Sequence, residues 1–238
     1  MQTVDPWIEA VVKGKSFIDV GGLWGTVNEK ITVAARAGAA QVTMLDISPP
    51  ENALWDAFAA RCAEKGVTGY QCLTGNLDDA NVPEATGVVD VVHCSGVLYH
   101  CQNPVHSIRQ LARMCGETMI ITTTIVPEHL RNTRGELVLP AGSLLFVPAL
   151  TDQEREVISE YWNEVGAQAI GLNVPVPGGW RLDDDYGAWW WLFTGDVVPA
   201  LLRVAGFTVV ERALTWNDHV GLYLARRSAG PVTEETRE

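Results

Sequence analysis

The stretch SFIDVGGLWGTVNEKITVAARAGAAQVTMLDIS, residues 16–48, decides the fold. SFIDV (16–20) is a short apolar run that reads as a buried strand. Gly21, Gly22 and Gly25 follow, and glycine lets a backbone turn sharply and approach a ligand closely. TVNEKITVAARAG (26–38) reads as a helix, with Thr26 as cap and Glu29 three residues on as a capping box. Gly38 stops it. QVTMLDI (41–47) is a second apolar strand. Strand, glycine turn, helix and strand in this order make a βαβ unit, whose ligands sit at the carboxyl ends of the strands.

The same rhythm runs outward from this unit. DPWIEAVVKG (5–14) is a leading helix with Asp5 as cap and Pro6 in its first turn. ENALWDAFAARCAEKG (51–66) is an amphipathic helix, YQCLTGNL (70–77) a third strand and GVVDVVHCSGVLYH (87–100) holds a fourth. NPVHSIRQLARMCG (103–116) is a helix capped by Asn103, and ETMIITTTIV (117–126) a fifth strand. After residues 127–188 the rhythm resumes with a helix over 194–206 and strands over 207–215 and 219–227. Near-continuous apolar strands alternating with helices predict an α/β parallel sheet covered on both faces.

Residues 1–227 therefore read as one domain, with 127–188 as an insertion that holds one helix, 151–166. A segment longer than about 12–15 residues in a compact domain is often functional. This one begins at the carboxyl end of strand five, so it is expected to cover the acceptor. The tail 228–238 has no apolar periodicity and is expected to be disordered.

Four strand ends carry the ligand chemistry. Asp19 ends strand one, before Gly21 and Gly22. Asp46, followed by Ile47, ends strand two, where a carboxylate can accept both hydroxyls of a ribose. Asn76, Leu77 and Asp78 follow strand three, in place to hold an adenine edge. Cys94 and Ser95 end strand four, with Tyr99 and His100 just beyond. A dinucleotide site wants G-x-G-x-x-G to seat a pyrophosphate. Here Leu23 takes the middle glycine's place, Trp24 follows it, and no Lys or Arg lies in the turn. That suits a nucleoside without phosphate. Leu23 and Trp24 are expected to divide two tasks, one walling the donor and the other packing under the helix.

This ordered set resembles the class I S-adenosylmethionine-dependent methyltransferases, whose first motif is matched by Asp19, Gly21 and Gly25. "CSGVLYH" and "GAWWWLFTGDVVPALLRVAGF" are similar to a subset related to tRNA wobble-uridine carboxymethyltransferases, which also holds small-molecule and sugar methyltransferases. The resemblance covers residues 16–126 and 190–227. It implies a Rossmann-like three-layer sandwich on a seven-stranded, mostly parallel sheet with the last strand antiparallel. It also implies S-adenosylmethionine as cofactor, Asp46 on its ribose and Asn76–Leu77 beside its adenine.

Methyl transfer to a hydroxyl needs a base, and histidine suits that task at neutral pH. Of five histidines, His100 stands nearest the expected methyl and is the candidate base, with Tyr99 packing on the donor or donating a hydrogen bond. His93 alternates within strand four and reads as structural, and His106 as surface. Asp218 and His219 are neighbours that do not face each other in a strand. In the insertion, His129 and Arg131 are candidate substrate ligands, and Trp189 and Trp190 candidate walls of an apolar or sugar-stacking pocket. Three consecutive tryptophans cannot all face one way. The carboxylates of RLDDDYG (181–187) read as a solvated run.

Net charge is −12. A polyanion is repelled on average, so DNA is excluded as partner and tRNA disfavoured. A small-molecule acceptor fits better. No apolar run approaches the roughly 18 residues of a membrane helix, and the N-terminus carries no secretory signal, so a cytoplasmic setting is expected. Five cysteines without a C-x-x-C pair predict reduced, buried thiols, Cys94 and Cys115 among them, and no metal. A tRNA-modifying enzyme and a non-catalytic nucleoside-binding protein are the alternatives. The oligomeric state is not encoded in any motif.

Overall fold

The computed structural model describes residues 3–24, 28–182 and 186–229. Gly25 and Thr26 of the first motif, the carboxylates at 183–185 and the tail from 230 lie outside them.

Seven strands form one sheet in the order β10-β11-β5-β4-β1-β2-β3. The first five are β1 (Ser16–Val20), β2 (Gln41–Asp46), β3 (Gln71–Thr74), β4 (Val89–Ser95) and β5 (Cys115–Thr124), with β10 (Phe207–Thr215) and β11 (Val220–Arg227) closing the far edge. All pairings among β1 to β5 are parallel, and β11 is antiparallel to both β5 and β10. This is the expected three-layer α/β sandwich.

Side chains alternate across the sheet. Phe17, Val91, Ile120 and Leu222 face α1 (Asp5–Val11), α2 (Ile31–Arg36) and α3 (Ala53–Glu64). Ile18, Val92, Cys94 and Ile121 face the other layer, formed by α4 (Val82–Thr86), α5 (Pro104–Met114) and α7 (Val197–Val204). All five cysteines are free, and four are buried. Burial pushes the thiols of Cys62, Cys101 and Cys115 up to about 12 and raises Cys94 as well. They are packing groups, not nucleophiles.

Asn103 caps α5 as read, its side chain accepting from the His106 N–H at 3.1 Å, with Pro104 in the first turn. Two caps differ from expectation. Asp5 lies in the first turn of α1, and Val4 takes the cap position. Helix α2 starts at Ile31, with Lys30 at the cap position, four residues later than the capping box implied. Glu29 turns forward and accepts from the Thr32 N–H at 2.9 Å, while Asp19 accepts from the Lys30 N–H at 2.8 Å. A carboxylate on the neighbouring strand thus caps the helix and overrides the local pattern.

After β5 the chain leaves the sheet. It forms the hairpin β6 (His129–Asn132) and β7 (Gly135–Val138), then β8 (Leu144–Phe146), α6 (Asp152–Val165) and β9 (Trp191–Phe193), which pairs with β8. Thr151 caps α6 with a complete capping box, and Gly166 ends it in the left-handed conformation. Leu130, Val147, Val157, Ile158, Trp162 and Leu192 give this segment its own core. The β6–β7 hairpin and the β8–β9 pair were not predicted. Their strands are three or four residues long, too short to show a period.

One backbone feature stands out between β10 and β11. Trp216, Asn217 and Asp218 have φ of 50°, 51° and 68°, three successive non-glycine residues in the left-handed region. Each such residue costs about 1–2 kcal/mol, and Asn and Asp bear it best. The His219 N–H closes the turn on the Trp216 carbonyl at 3.2 Å.

Candidate active site

The carboxyl ends of β1, β2, β3 and β4 meet at one rim. Asp46 organises it. One of its oxygens accepts the Leu23 N–H at 3.2 Å and the other the Ser48 N–H at 2.9 Å, and the Gly21 N–H donates to the Leu45 carbonyl at 2.8 Å. The glycine turn is therefore tied to strand two. Gly21 has φ 77°, and a Cβ there would run into Val97; one at Gly22 would meet the Asp19 carboxylate and, at 2.8 Å, the Met44 methyl.

The bulk at Leu23 and Trp24 is resolved. Leu23 is wholly buried in the core with Ile31, Ala34 and Met44, whereas Trp24 is 87% exposed. So Leu23 is the member of the pair that packs under α2, and as a candidate donor contact it can offer only its backbone. The turn tolerates a leucine because its side chain points into the core. Cys94 and Leu77 are corrected likewise. They are 1% and 5% exposed and belong to the core on the α5 side of the sheet. Ile47, half exposed, and the partly exposed Ser95 remain at the rim.

Asp19 is fully engaged below the turn. Besides capping α2, it bonds the Nδ1 of His93 at 2.7 Å, and both side chains are about 1% exposed. His93 also stacks on Phe17. It is structural, as read.

Asn76 forms its own turn, accepting from the Asp78 N–H at 3.0 Å, and its amide donates to the hydroxyl of Tyr186 at 2.7 Å. Tyr186 also reaches Asp78 at 3.4 Å. Asp78 is held in turn by α5, whose Ser107 hydroxyl donates to its carboxylate. The insertion thus touches the strand-three corner through Tyr186, which sequence reasoning missed because the partners are 110 residues apart. Tyr186→Phe should free the Asn76 amide and tighten S-adenosylhomocysteine binding about fivefold, the worth of one competing hydrogen bond. Isothermal calorimetry checks this, and unchanged or weaker binding would show that the hydroxyl does not compete.

Beyond strand four, Tyr99 and His100 meet the tryptophan triplet. The Tyr99 carbonyl accepts the Trp190 and Trp191 N–H groups at 2.8 and 3.3 Å. Tyr99 lies 4.6 Å from Trp189, ring to ring, and 4.2 Å from His100. Burial raises the Tyr99 hydroxyl to about 12, so it stays protonated. The Nδ1 of His100 lies 3.0 Å from the Ala188 carbonyl. A carbonyl only accepts, so Nδ1 carries the proton, and in the neutral ring Nε2 is the basic nitrogen.

The triplet splits its duties. Trp189 meets Tyr99, His100 and Trp162. Trp190 is 2% exposed and meets Phe146 and Trp180 instead. It is core of the insertion, a correction to its place as a substrate wall. His129 and Arg131 stand on the exposed β6–β7 hairpin, His129 paired with Glu136 across it. No contact among the described residues brings them to Tyr99 or His100, so the structure does not join them to this site.

The donor set is a carboxylate, an amide and glycine backbone, with no cationic side chain in the described part of the turn. It fits an uncharged ribose and adenine. No group of three or more metal-ligating side chains occurs among the described residues, and no helix there is long and apolar enough to cross a membrane.

Comparison with known proteins agrees with the fold. Residues 18–118 match the family model described as a methyltransferase domain. Magnesium protoporphyrin IX methyltransferase from Synechocystis, solved with bound S-adenosylhomocysteine, superposes with a TM-score of 0.55 at 18% identity, over 94% of this chain and 80% of that one. The 1,6-didemethyltoxoflavin N1-methyltransferase of Burkholderia thailandensis gives 0.52 at 14% identity, over 95% and 79%. An O-methyltransferase family protein of the same species gives 0.59 at 17% identity, over 94% and 53%. At such identities the likeness is one of fold. No curated protein matches the chain.

Proposed function

We propose that this chain is a class I S-adenosylmethionine-dependent methyltransferase and that it methylates an oxygen of a small, uncharged, largely apolar acceptor with His100 as the base. The observation that carries this reading is the bond from His100 Nδ1 to the Ala188 carbonyl, which holds the ring beside Tyr99 and Trp189 with its proton on Nδ1.

Asp46, the Gly21–Gly22 backbone and Asn76 would hold the donor, which supplies an electrophilic methyl group on a sulfonium. Tyr99 and Trp189 exclude water at the rim, where both rings are largely buried. With the donor bound, the acceptor oxygen would bond the methyl carbon as the carbon–sulfur bond breaks to leave the neutral thioether, and would give its proton to Nε2. Ala188 fixes the ring's tautomer and orientation as a second group orients a base elsewhere. The surrounding charge of −12 disfavours phosphorylated acceptors. Known relatives in fold act on a porphyrin and on a toxoflavin precursor, both small molecules.

Calorimetry with S-adenosylhomocysteine should show micromolar binding, and labelled S-adenosylmethionine with a panel of phenols, amines and tRNA should place the label on phenols. Absence of binding at millimolar ligand would overturn the donor assignment. Label on amines or tRNA alone would overturn the acceptor.

A further inference from the structure

The rim continues past β5 to a cluster the proposed chemistry does not use. His219 stands just before β11, and its N–H closes the left-handed turn of Trp216, Asn217 and Asp218. Backbone conformations of this kind persist where the surroundings hold them, and they gather at functional sites. The turn sets His219 against the insertion, where Nδ1 bonds the hydroxyl of Tyr161 on α6. The rings of Tyr161, Trp162 and Trp216 lie 5.2, 6.2 and 6.1 Å from it.

Two N–H donors result. Burial, with Asp218 adding to it, holds the Tyr161 hydroxyl above its ordinary value, so it keeps its proton and donates it to Nδ1. Burial lowers His219, which leaves the ring neutral with the proton on Nε2. The second donor is the Trp162 indole N–H, fully buried and without a hydrogen-bond partner among the described residues. A buried donor left without an acceptor is costly, and such a group calls for an oxygen to meet it.

Ring contacts join this cluster to the base. Trp162 lies 5.0 Å from Trp189, and Trp189 lies 6.4 Å from His100. We propose that His219, Tyr161 and Trp162 form the far wall of the acceptor site and bind a neutral carbonyl-type oxygen of a flat molecule whose reacting end lies at His100. The position of the reacting end rests on the methyl-transfer reading. Charge selects the carbonyl over a carboxylate, because the ring is neutral, Asp218 adjoins it and the chain carries −12.

Acetophenone, benzoate and ethylbenzene test this as probes of equal ring size. Titrations are run with and without saturating S-adenosylhomocysteine, following the Trp162 indole N–H resonance, assigned by its loss in Trp162→Phe. Acetophenone should bind about fivefold tighter than the other two and move that resonance downfield, as one hydrogen bond warrants. His219→Ala and Tyr161→Phe should each abolish the preference, with S-adenosylhomocysteine affinity unchanged within about twofold. Equal binding of the three probes, a preference that survives His219→Ala, or no probe binding at all would overturn the proposal. Failure of S-adenosylhomocysteine to bind would count against methyl transfer alone, since the probes titrate separately.

Discussion

His100→Ala is expected to lower kcat by about 10²–10⁴-fold, the usual contribution of a general base, while S-adenosylhomocysteine affinity stays within about tenfold. The expectation follows from how the ring is held. Its Nδ1 is committed to the Ala188 carbonyl, so the side chain has one orientation and one proton-accepting nitrogen. Asp46 and Asn76, the proposed donor contacts, lie on other strand ends and keep their own bonds. Loss should therefore fall on turnover and spare donor binding. Single-turnover kinetics with the best acceptor of the panel would check it. Unchanged turnover would remove His100 from the role, and a matching loss of donor affinity would make it a pocket residue instead.

Asp19→Ala is expected to cost about 3 kcal/mol of stability and lower Tm by about 10 °C, because it strands two groups at once. The Lys30 N–H loses its cap and the His93 imidazole loses its partner at 2.7 Å. The imidazole cannot turn to water, since His93 is about 1% exposed, and the part-buried Lys30 N–H can do so only in part. Asp19→Asn should cost less, because its carbonyl can still take the Lys30 N–H and its amide can donate to a His93 ring of the other tautomer. Differential scanning calorimetry of the two variants would rank them. Equal and small losses would mean that the pair is not what fixes the start of α2.

These two residues also show what could be read in advance. Asp19 and His100 announce themselves by standing at the ends of apolar runs, where a parallel sheet gathers its chemistry. The strand run 16–20 was legible for the same reason, its apolar content being set by burial on both faces, whereas 207–215 is an edge strand with mostly exposed side chains. Helix α2 was read too long because Thr26 and Glu29 form a local capping pattern, whereas the cap in use comes from Asp19 on the adjacent strand. Which of Leu23 and Trp24 packs under α2 was not legible, because position in a motif does not reveal which way a side chain points. Tyr186 on Asn76 and Tyr161 on His219 were invisible for another reason. They join the insertion to the sheet across 110 and 58 residues, and no local period records such a meeting.

The seat of the insertion on Tyr99 has a consequence for how such a protein changes over time. Main-chain N–H groups of Trp190 and Trp191 dock on a main-chain carbonyl, so these two bonds read no side chain, although the Trp191 indole adds a bond of its own to the Gln102 carbonyl at 3.1 Å. A descendant can rewrite the tryptophan triplet, or trade the whole segment for another, and still fasten it at the same point. Acceptor taste is thereby free to drift while the donor half stays as it is.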